Sequence, residues 1–388
     1  MSDHKVHDAV GGPLTGLQAG AAIAVGANAL LVIGVMPALL GSLADAHRLS
    51  AAGIGRAATL ELLDMGLATG LAGAFLRPVR LRMVGFVLSI LLAGLDYATI
   101  LTTGPAILAL RGAAGAAEGL LLWITVGMIV RTLTPERWSG VYFTVQAVTQ
   151  LILAVAFTTL VMHRYGAVGG FSVLAGVTLI GSVPALFLPD RYAPLPKPEG
   201  TTGVLPLRGW IALAATVIYV SAGGAVTIYL QPLAHQAGLS ADVARTALSV
   251  SLVAQVAGAA AATLLAGRVR YFAIFLMTST AYLVVWWIYG RLPNATLFVV
   301  ATATAGCFAV LLGPFLTPFI IDADPSRRAA MQNGAAQILG GALGPWLASF
   351  VVSDTEVRAV LPLSAGLLVV GLAVVTWLRV TAAKPGVV

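Results

Sequence analysis

The sequence predicts an all-α membrane protein in which twelve transmembrane helices form two pseudo-symmetric six-helix bundles. Apolar residues make up 59% of the 388-residue chain and charged residues only 10%, whereas a soluble domain carries about 25% charge. Long apolar runs recur along the chain, and features of the first half return 190 residues later in the second half. Because backbone polar groups in a bilayer must bond within their own segment, helices of about 20 residues are expected.

The individual helices are predicted from runs that are apolar on nearly every face, such as residues 211–230 and 361–378. A β-barrel would instead show short segments with strict alternation of apolar and polar residues. Ser50 and Ser240 stand at the entries of the second and eighth helices, where each is expected to be the N-cap. The predicted spans are 16–43, 52–76, 80–98, 103–131, 139–162, 168–188, 209–236, 242–266, 271–290, 294–321, 329–352 and 358–379.

An internal repeat relates the two halves of the chain. The tripeptide Leu-Ser-Ala at residues 49–51 is followed by Arg56, and the same tripeptide at residues 239–241 is followed by Arg245. Hydrophobic repeats of this kind are how many membrane transporters place a central site between two halves that move against each other. The repeat therefore favours a carrier over other classes of membrane protein.

One long polar connection divides the helices six and six. It runs from residue 189 to residue 207 and contains five prolines, which is typical of a semi-extended tether without a core of its own. We predict an N-terminal six-helix bundle at 1–188, a cytoplasmic linker at 189–207 and a C-terminal six-helix bundle at 208–388. Both bundles then start on the same side of the membrane, which predicts parallel repeats.

The net charge of +7 is explained by topology. Of the 22 Lys and Arg residues, fifteen fall on the side of the two termini, six on the opposite side, and Arg111 lies within a span. The positive-inside rule then places both termini in the cytoplasm of a bacterial-type inner membrane. We therefore expect a lipid bilayer and no nucleic acid as the partner of these charges. The six outer residues are Arg48, Arg56, Arg164, Arg245, Arg291 and Arg358.

Twelve helices in a six-plus-six parallel repeat with a central cytoplasmic tether resemble the major facilitator superfamily over nearly the whole chain. Arg111, followed by the small residues at 112–117, is similar to the signature of that family's fourth helix. Residues 76–82 keep the basic character of the loop after the second helix but lack its usual Asp, and residues 146–150 lack the Gly-Pro motif of drug–proton antiporters. The resemblance implies alternating access by a monomeric carrier of small molecules, with the subfamily unresolved.

Ionisable residues within the predicted spans are the main functional candidates, because each Asp, Lys or Arg at the bilayer centre costs at least about 2.5–3.5 kcal/mol. Glu61 and Asp64 lie on the second helix, and Arg111 and Glu118 lie on the fourth. At a rise of 1.5 Å per residue, Glu61 and Asp64 are about 14–18 Å below the outer end, Arg111 about 12 Å and Glu118 about 22 Å. Arg111 can therefore pair with an acid of the second helix.

The hypothesis from these positions is that Glu118 or Asp64 is the proton-coupling carboxylate and that Arg111 is its counter-ion. The alternative is a fixed ion pair that holds the second and fourth helices together, since structural pairs also perturb titration. Glu61, nearer the outer end, is expected to reach water, and Asp96 is expected to be a solvated residue at the end of the third helix. A stripe of small residues beside Arg111 is expected to let another helix approach closely. This stripe consists of Gly112, Gly115 and Gly119.

Neutral amides within the spans need hydrogen-bond partners and should face the bundle interior or a wet cavity. The family resemblance implies a cavity lined by helices 1, 4, 7 and 10 and parts of 2, 5, 8 and 11. Hydrogen bonds between helices would explain the same amides without a substrate. The predicted substrate-binding residues are Asn28, Arg111, Gln146, Gln231, Gln332 and Asn333.

Together these patterns predict a proton-coupled secondary active transporter that moves small organic solutes by alternating access. Three acids against one Arg favour export of neutral or cationic amphipathic compounds, and the alternative is import of a small organic carboxylate anchored by Arg111. No enzyme activity, cofactor or metal is expected, because the spans hold no deep histidine and no nucleophile–base set, and the chain has no P-loop motif. Scattered polar residues argue against a channel, while a receptor or assembly factor stays open.

Overall fold

The computed structural model describes residues 5–6, 14–49, 51–195, 205–353 and 356–381, and this part of the chain is almost entirely helical. Strands β1 (Lys5–Val6) and β2 (Leu14–Thr15) form a small antiparallel pair. The helices are α1 (Gly16–Ala29), α2 (Leu31–Asp45), α3 (Ala51–Phe75), α4 (Leu81–Thr99), α5 (Pro105–Ile129), α6 (Pro135–Ala156), α7 (Met162–Ile180), α8 (Leu207–Ile228), α9 (Leu230–Gln236), α10 (Ala241–Leu265), α11 (Tyr271–Gly290), α12 (Ala295–Ala323), α13 (Asn333–Ala348) and α14 (Val360–Val380). A π-helical segment covers Phe157–Val161, and 3₁₀ turns cover Val183–Phe187 and Ala329–Gln332.

The predicted all-α membrane fold is confirmed. Each predicted span corresponds to one helix or to two consecutive helical segments, as with α1 and α2 or α8 and α9. Ten described segments are long and apolar enough to cross a membrane. Two further helices fall short of that criterion for clear reasons: α3 carries Glu61 and Asp64, and α13 has only 16 residues.

The chain divides into two compact units. The first consists of residues 1–133 and 144–196, and the second of residues 134–143 and 197–388. The boundary at 196 falls within the predicted linker, while a further division falls inside α6. The domain boundaries at 188 and 208 themselves stay a prediction.

In the first unit, α3 and α5 pack against each other most extensively. A Cβ atom at Gly115 would overlap the backbone carbonyl of Glu61, and one at Gly119 would overlap that of Met65. Only glycine lets two helix backbones approach this closely. The small-residue stripe predicted beside Arg111 is therefore confirmed, and it places the two helices that carry the predicted charges side by side.

The first predicted span is interrupted between α1 and α2. Helix α1 begins with a capping box in which Thr15 and Gln18 exchange side-chain and backbone hydrogen bonds, and its C-cap is Leu30. The Leu30 carbonyl accepts a hydrogen bond of 2.8 Å from Gln150 Nε2 on α6. The break is thus satisfied by a side chain from a neighbouring helix, and it lies directly after Asn28.

The segment after α7 is attached to the first unit. Arg131 Nε at the end of α5 donates to the Ala193 carbonyl at 2.7 Å, and its guanidinium lies 5.4 Å from the ring centre of Tyr192. The amide of Tyr192 donates to the Pro78 carbonyl at 3.0 Å. The described first residues of the predicted linker are therefore held by the α3–α4 turn and the end of α5.

In the second unit, the closest helix pairs are α10 with α12 and α8 with α13. Ser240 caps α10 and accepts from the Val243 amide at 3.4 Å, which confirms that predicted N-cap, whereas Ser50 lies outside the described residues. An aromatic cluster fills the centre of this unit, with the Phe275 ring 5.1 Å from Tyr219 and 5.3 Å from Phe319.

Apolar side chains cover much of the outer surface. Phe75, Ile152, Val253 and Trp377 are all at least half exposed. Soluble proteins rarely present so much contiguous apolar area to water, whereas lipid-facing helices do. Together with the ten apolar helices, this surface identifies a multi-pass membrane protein.

Candidate functional site: a buried charge network

Arg111 of α5 lies at the centre of a charge network inside the first unit. Its side chain is fully buried, and its NH2 group lies 2.9 Å from Asp96 Oδ1 on α4 and 3.2 Å from Glu61 Oε1 on α3. The guanidinium also lies 5.6 Å from the ring centre of Phe171 on α7, an arrangement in which the π face attracts the cation. One arginine thus connects four helices.

Glu118 extends the network one further step. Its carboxyl group is buried and interacts with both the Glu61 carboxyl group and the Arg111 guanidinium. Two ionised carboxylates contain no hydrogen-bond donor, so a bond between them requires a proton on one of the pair. Without that proton, both Glu61 oxygens and Glu118 Oε2 have no hydrogen-bond partner among the described residues.

Asp96 connects the charged groups to two further helices. Its Oδ2 atom accepts from the Thr178 hydroxyl of α7 at 3.4 Å, and the Thr178 carbonyl accepts from Asn28 Nδ2 of α1 at 3.3 Å. A continuous polar path therefore runs from Asn28 through Thr178 and Asp96 to Arg111 and the two glutamates. It joins α1, α3, α4, α5 and α7 of the same unit.

Helix geometry explains why these side chains converge. Side chains on an α-helix tilt towards its N-terminus, so Arg111 reaches back towards the start of α5, where α4 ends with Asp96 close to its last turn. Glu118 is two helical turns further along the same helix and tilts towards Arg111. The glycine stripe brings Glu61 of α3 up to this face of α5.

The network has more acids than cations. Glu61, Asp96 and Glu118 face the single guanidinium of Arg111, so the fully ionised set carries a net charge of −2. Burial without water penalises unbalanced charge strongly. Electrical neutrality would require two protons on the three acids. Among the described residues, no set of three His, Cys, Asp or Glu side chains is arranged to hold a metal ion.

Comparison with solved structures places the fold. A crystal structure of the major facilitator superfamily transporter FucP, in the outward conformation, matches with a TM-score of 0.75 and 13% identity over 93% of this chain and 98% of that chain. This chain has the major facilitator superfamily fold. A structure of a point variant of the E. coli fucose:proton symporter FucP matches with a TM-score of 0.68 and 16% identity over 93% of this chain and 97% of that chain. No family profile and no curated protein sequence matches the chain.

Within this fold, the charged residues predicted from the sequence have mixed outcomes. The pairing of Arg111 with an acid of the second helix is confirmed, and the acid is Glu61. The expectation that Glu61 reaches water is wrong, because its carboxyl group is fully buried at the α3–α5 contact. The expectation that Asp96 is solvated is also wrong, because Arg111 and Thr178 enclose it. Asp64 is half-buried beside Gly112, and its coupling role stays a prediction.

The predicted substrate-binding amides are distributed over both units. Asn28 belongs to the charge network, and Gln146 of α6 is half-buried with its Oε1 atom unpartnered among the described residues. In the second unit, Gln231 is exposed, Gln332 is half-buried, and Asn333 Nδ2 donates to Thr317 Oγ1 at 2.9 Å. Their role in substrate binding stays a prediction.

Sequence reasoning missed Phe171 and Thr178. Both lie on α7 and contact the network through a ring face and a hydroxyl group. A Phe or Thr in an apolar span carries no charge signal, so neither could be distinguished from ordinary lipid-facing or core residues before the helices were placed.

Proposed function

We propose that this protein is a proton-coupled secondary transporter of small organic solutes that works by alternating access. The observation that carries the proposal is the buried network of three acids and one arginine, set in a fold used by transporters. We further propose that it acts as a monomer in a bacterial inner membrane, with both termini in the cytoplasm and no enzymatic activity.

The network offers a simple coupling chemistry. When Glu118 and Glu61 share one proton, the set keeps two carboxylates, one of them Asp96, and its net charge is −1. Loss of that proton leaves a third carboxylate that attracts the guanidinium, because opposite charges interact strongly where water is excluded. Protonation thereby changes which acids hold Arg111, and hence how α3, α4 and α5 are held together.

The excess of acids supports neutral or cationic amphipathic solutes as substrates and export as the direction. Asn28, Gln146, Gln231, Gln332 and Asn333 are the amides that we propose as substrate contacts. The E. coli neighbour is a fucose:proton symporter, which supports proton coupling and makes fucose a further solute to test.

A second candidate function is import of a small organic carboxylate. It is favoured by one observation: Nε and NH1 of Arg111 have no hydrogen-bond partner among the described residues, and a guanidinium edge of this kind suits a carboxylate. In vesicle uptake of a labelled carboxylate, Arg111→Ala should abolish transport if this candidate is correct. Unchanged uptake in the variant would exclude it.

The primary proposal is tested with purified protein in liposomes that enclose a pH-sensitive dye. Gradients of an amphipathic cationic dye, fucose and a small carboxylate are imposed in turn, and the internal pH is followed. We expect one solute class to drive proton movement in the native protein and Glu118→Gln to reduce that movement at least tenfold, because the amide cannot exchange the proton. The matched control is Asp242→Asn, which removes an exposed acid of the second unit and should leave proton movement unchanged.

Two results would contradict the proposal. Proton movement of native size in Glu118→Gln would exclude Glu118 as the coupling acid. Solute movement without any proton movement in the native protein would exclude coupling to protons altogether.

A further inference from the structure

A cavity of about 490 Å³ opens at one end of the first unit, and no residue of the charge network is among the residues that line it. It lies between the turn after α2, the first turns of α3 and the connection from α4 to α5. Three cationic or titratable bases face it, His47, Arg48 and Arg56, together with Thr103 and the apolar side chains of Leu49 and Leu108. None of the nine described residues that line this cavity is acidic.

Backbone hydrogen bonds hold the turn after α2, which carries His47 and Arg48. The amides of Arg48 and Leu49 both donate to the Leu43 carbonyl, and the Arg48 carbonyl accepts from the Gly104 amide at 2.9 Å. His47 adopts a left-handed backbone with φ 55°, a conformation that glycine adopts far more readily. The cationic side chains are therefore presented from a well-defined turn that is bonded to both sides of the cavity.

The corresponding position of the second unit carries different side chains. There the left-handed residue after the corresponding helix is Gly238, with φ 72°. Arg245, the repeat counterpart of Arg56, forms an ion pair with Asp242, three residues before it on the same helix. The residue three before Arg56 is Gly53. The first unit thus has His47 and Arg48 in the turn where the second has Ala237 and Gly238, and Gly53 where the second has the acid that pairs with Arg245.

We propose that this cavity binds a phosphate-type oxyanion. Arginine side chains match phosphate oxygens with paired N–H donors, and the Thr103 hydroxyl and the His47 ring can supply further hydrogen bonds. The volume falls within the range of small-molecule sites, and the apolar walls of Leu49 and Leu108 suit the hydrocarbon part of an amphiphile. The oxyanion can come from a phospholipid head group or from a soluble phosphate compound. This inference is independent of the proposed transport function.

The first arm of the test uses inorganic phosphate as the probe. Purified full-length protein in a neutral detergent is titrated with phosphate at constant ionic strength, and binding is followed by calorimetry. We expect saturable binding that Arg48→Gln and Arg56→Gln each weaken at least about tenfold, the loss expected from one charge-assisted contact. The matched control is Arg164→Gln, another exposed outer arginine of the first unit that lies outside the cavity lining.

The second arm distinguishes the two sources of the oxyanion. The protein is reconstituted in nanodiscs of phosphatidylcholine with or without phosphatidylglycerol, and retained lipid is counted by native mass spectrometry. Retention of phosphatidylglycerol that is lost in Arg48→Gln and Arg56→Gln, but not in Arg164→Gln, supports a lipid head group. Phosphate binding with no selective lipid retention supports a soluble ligand.

One outcome overturns the proposal whichever source is considered. If phosphate and phosphatidylglycerol bind equally to the native protein, to both cavity variants and to Arg164→Gln, the cavity is not an oxyanion site. Equal thermal midpoints of all four proteins establish that differences in binding are not differences in folding.

Discussion

Among the described residues, Arg111 is the one cation that the three buried acids face. A guanidinium with five N–H donors can bond Asp96 and Glu61 at the same time, which a lysine cannot do with the same geometry. Its side chain is fully buried beside the ring of Phe171. The ion pairs are therefore both a structural link between helices and the set of charges that proton binding would alter.

Arg111→Gln is predicted to destabilise the protein by about 3–5 kcal/mol, the range found when one partner of a buried ion pair is removed. The three acids would be left without a cation, and they would have to become neutral or unfold the helix contacts around them. The free energy of unfolding in mixed detergent micelles measures the effect. Arg245→Gln is the control, because its ion pair with Asp242 is exposed and should contribute less than about 1 kcal/mol. If both variants lost the same free energy of unfolding, Arg111 would contribute no more to stability than an exposed arginine.

At this scale the sequence predicted the charged residues but not all of their partners. Depth counted along each helix correctly placed Arg111 level with an acid of α3. The depth count failed for Asp96. A residue near a helix end is exposed to water only if no long side chain from the next helix covers it. The short connection of residues 100–104 folds α5 against α4, and the tilt of Arg111 towards the start of α5 then encloses Asp96.

At the scale of helices, the α3–α5 contact decides where the charges meet. Gly115→Ala should destabilise the protein by about 1–3 kcal/mol, since the added methyl group would overlap the Glu61 carbonyl and force the helices apart. Gly94→Ala on α4 is the matched control, because a Cβ atom there meets nothing within 4 Å, and alanine favours a helix by up to about 1 kcal/mol. Thermal unfolding of both variants measures the difference. If Gly115→Ala left the stability unchanged, the two helices would be able to move apart at no cost in free energy.

A second prediction at this scale concerns the segment that leaves the first unit. Burial lowers the pKa of Arg131 to about 10, with Tyr192 opposing the shift, so its guanidinium stays charged at neutral pH and bonds the Ala193 carbonyl. The Tyr192 amide donates to the Pro78 carbonyl, and the Leu81 amide donates to the Asp190 carbonyl of the same segment. Arg131→Gln should increase hydrogen exchange at these two amides at least about tenfold, because a charge-assisted bond that holds the segment is lost. The exposed Arg137→Gln serves as the control. Unchanged exchange in Arg131→Gln would show that other contacts hold this segment.

Helix boundaries illustrate what sequence patterns can and cannot indicate. Spans were predictable because apolar length decides them in a bilayer. The break at Leu30 was not, since neither Pro nor Gly stands there. The freed carbonyl is satisfied by Gln150 from α6, a tertiary partner that becomes visible only after the helices are packed. Local sequence therefore indicated the spans, and long-range side-chain contacts decided their interruptions.

At the scale of the whole molecule, the two units share a plan but differ in charge. Gly115 packs closely against Glu61 in the first unit, and Gly306 packs closely against Ser251 at the corresponding place in the second unit. In the first unit, Asp96 and Arg111 join α4 to α5. In the second unit, the hydroxyl groups of Tyr289 and Thr302, 2.9 Å apart, join α11 to α12. The helix contact is therefore present in both units, with an ion pair in the first and a neutral hydrogen bond in the second.

This asymmetry predicts that proton coupling depends on the first unit alone. Asp96→Asn leaves two acids facing Arg111, so neutrality requires one proton instead of two, and proton movement per solute should fall. Tyr289→Phe removes only a neutral hydrogen bond, and Thr302 keeps its bond to the Phe298 carbonyl. Its cost should be about 0.5–1.5 kcal/mol, with proton movement unchanged.

Both variants are compared in the dye-filled liposomes, with solute movement measured in parallel so that loss of coupling is separated from loss of transport. A change in the ratio of protons to solute is expected for Asp96→Asn only. The opposite pattern, with a native ratio in Asp96→Asn and an altered ratio in Tyr289→Phe, would place coupling in the second unit. Since the described helices of that unit hold neutral hydrogen bonds at the matching contact, such a result would require a proton carrier other than a buried carboxylate.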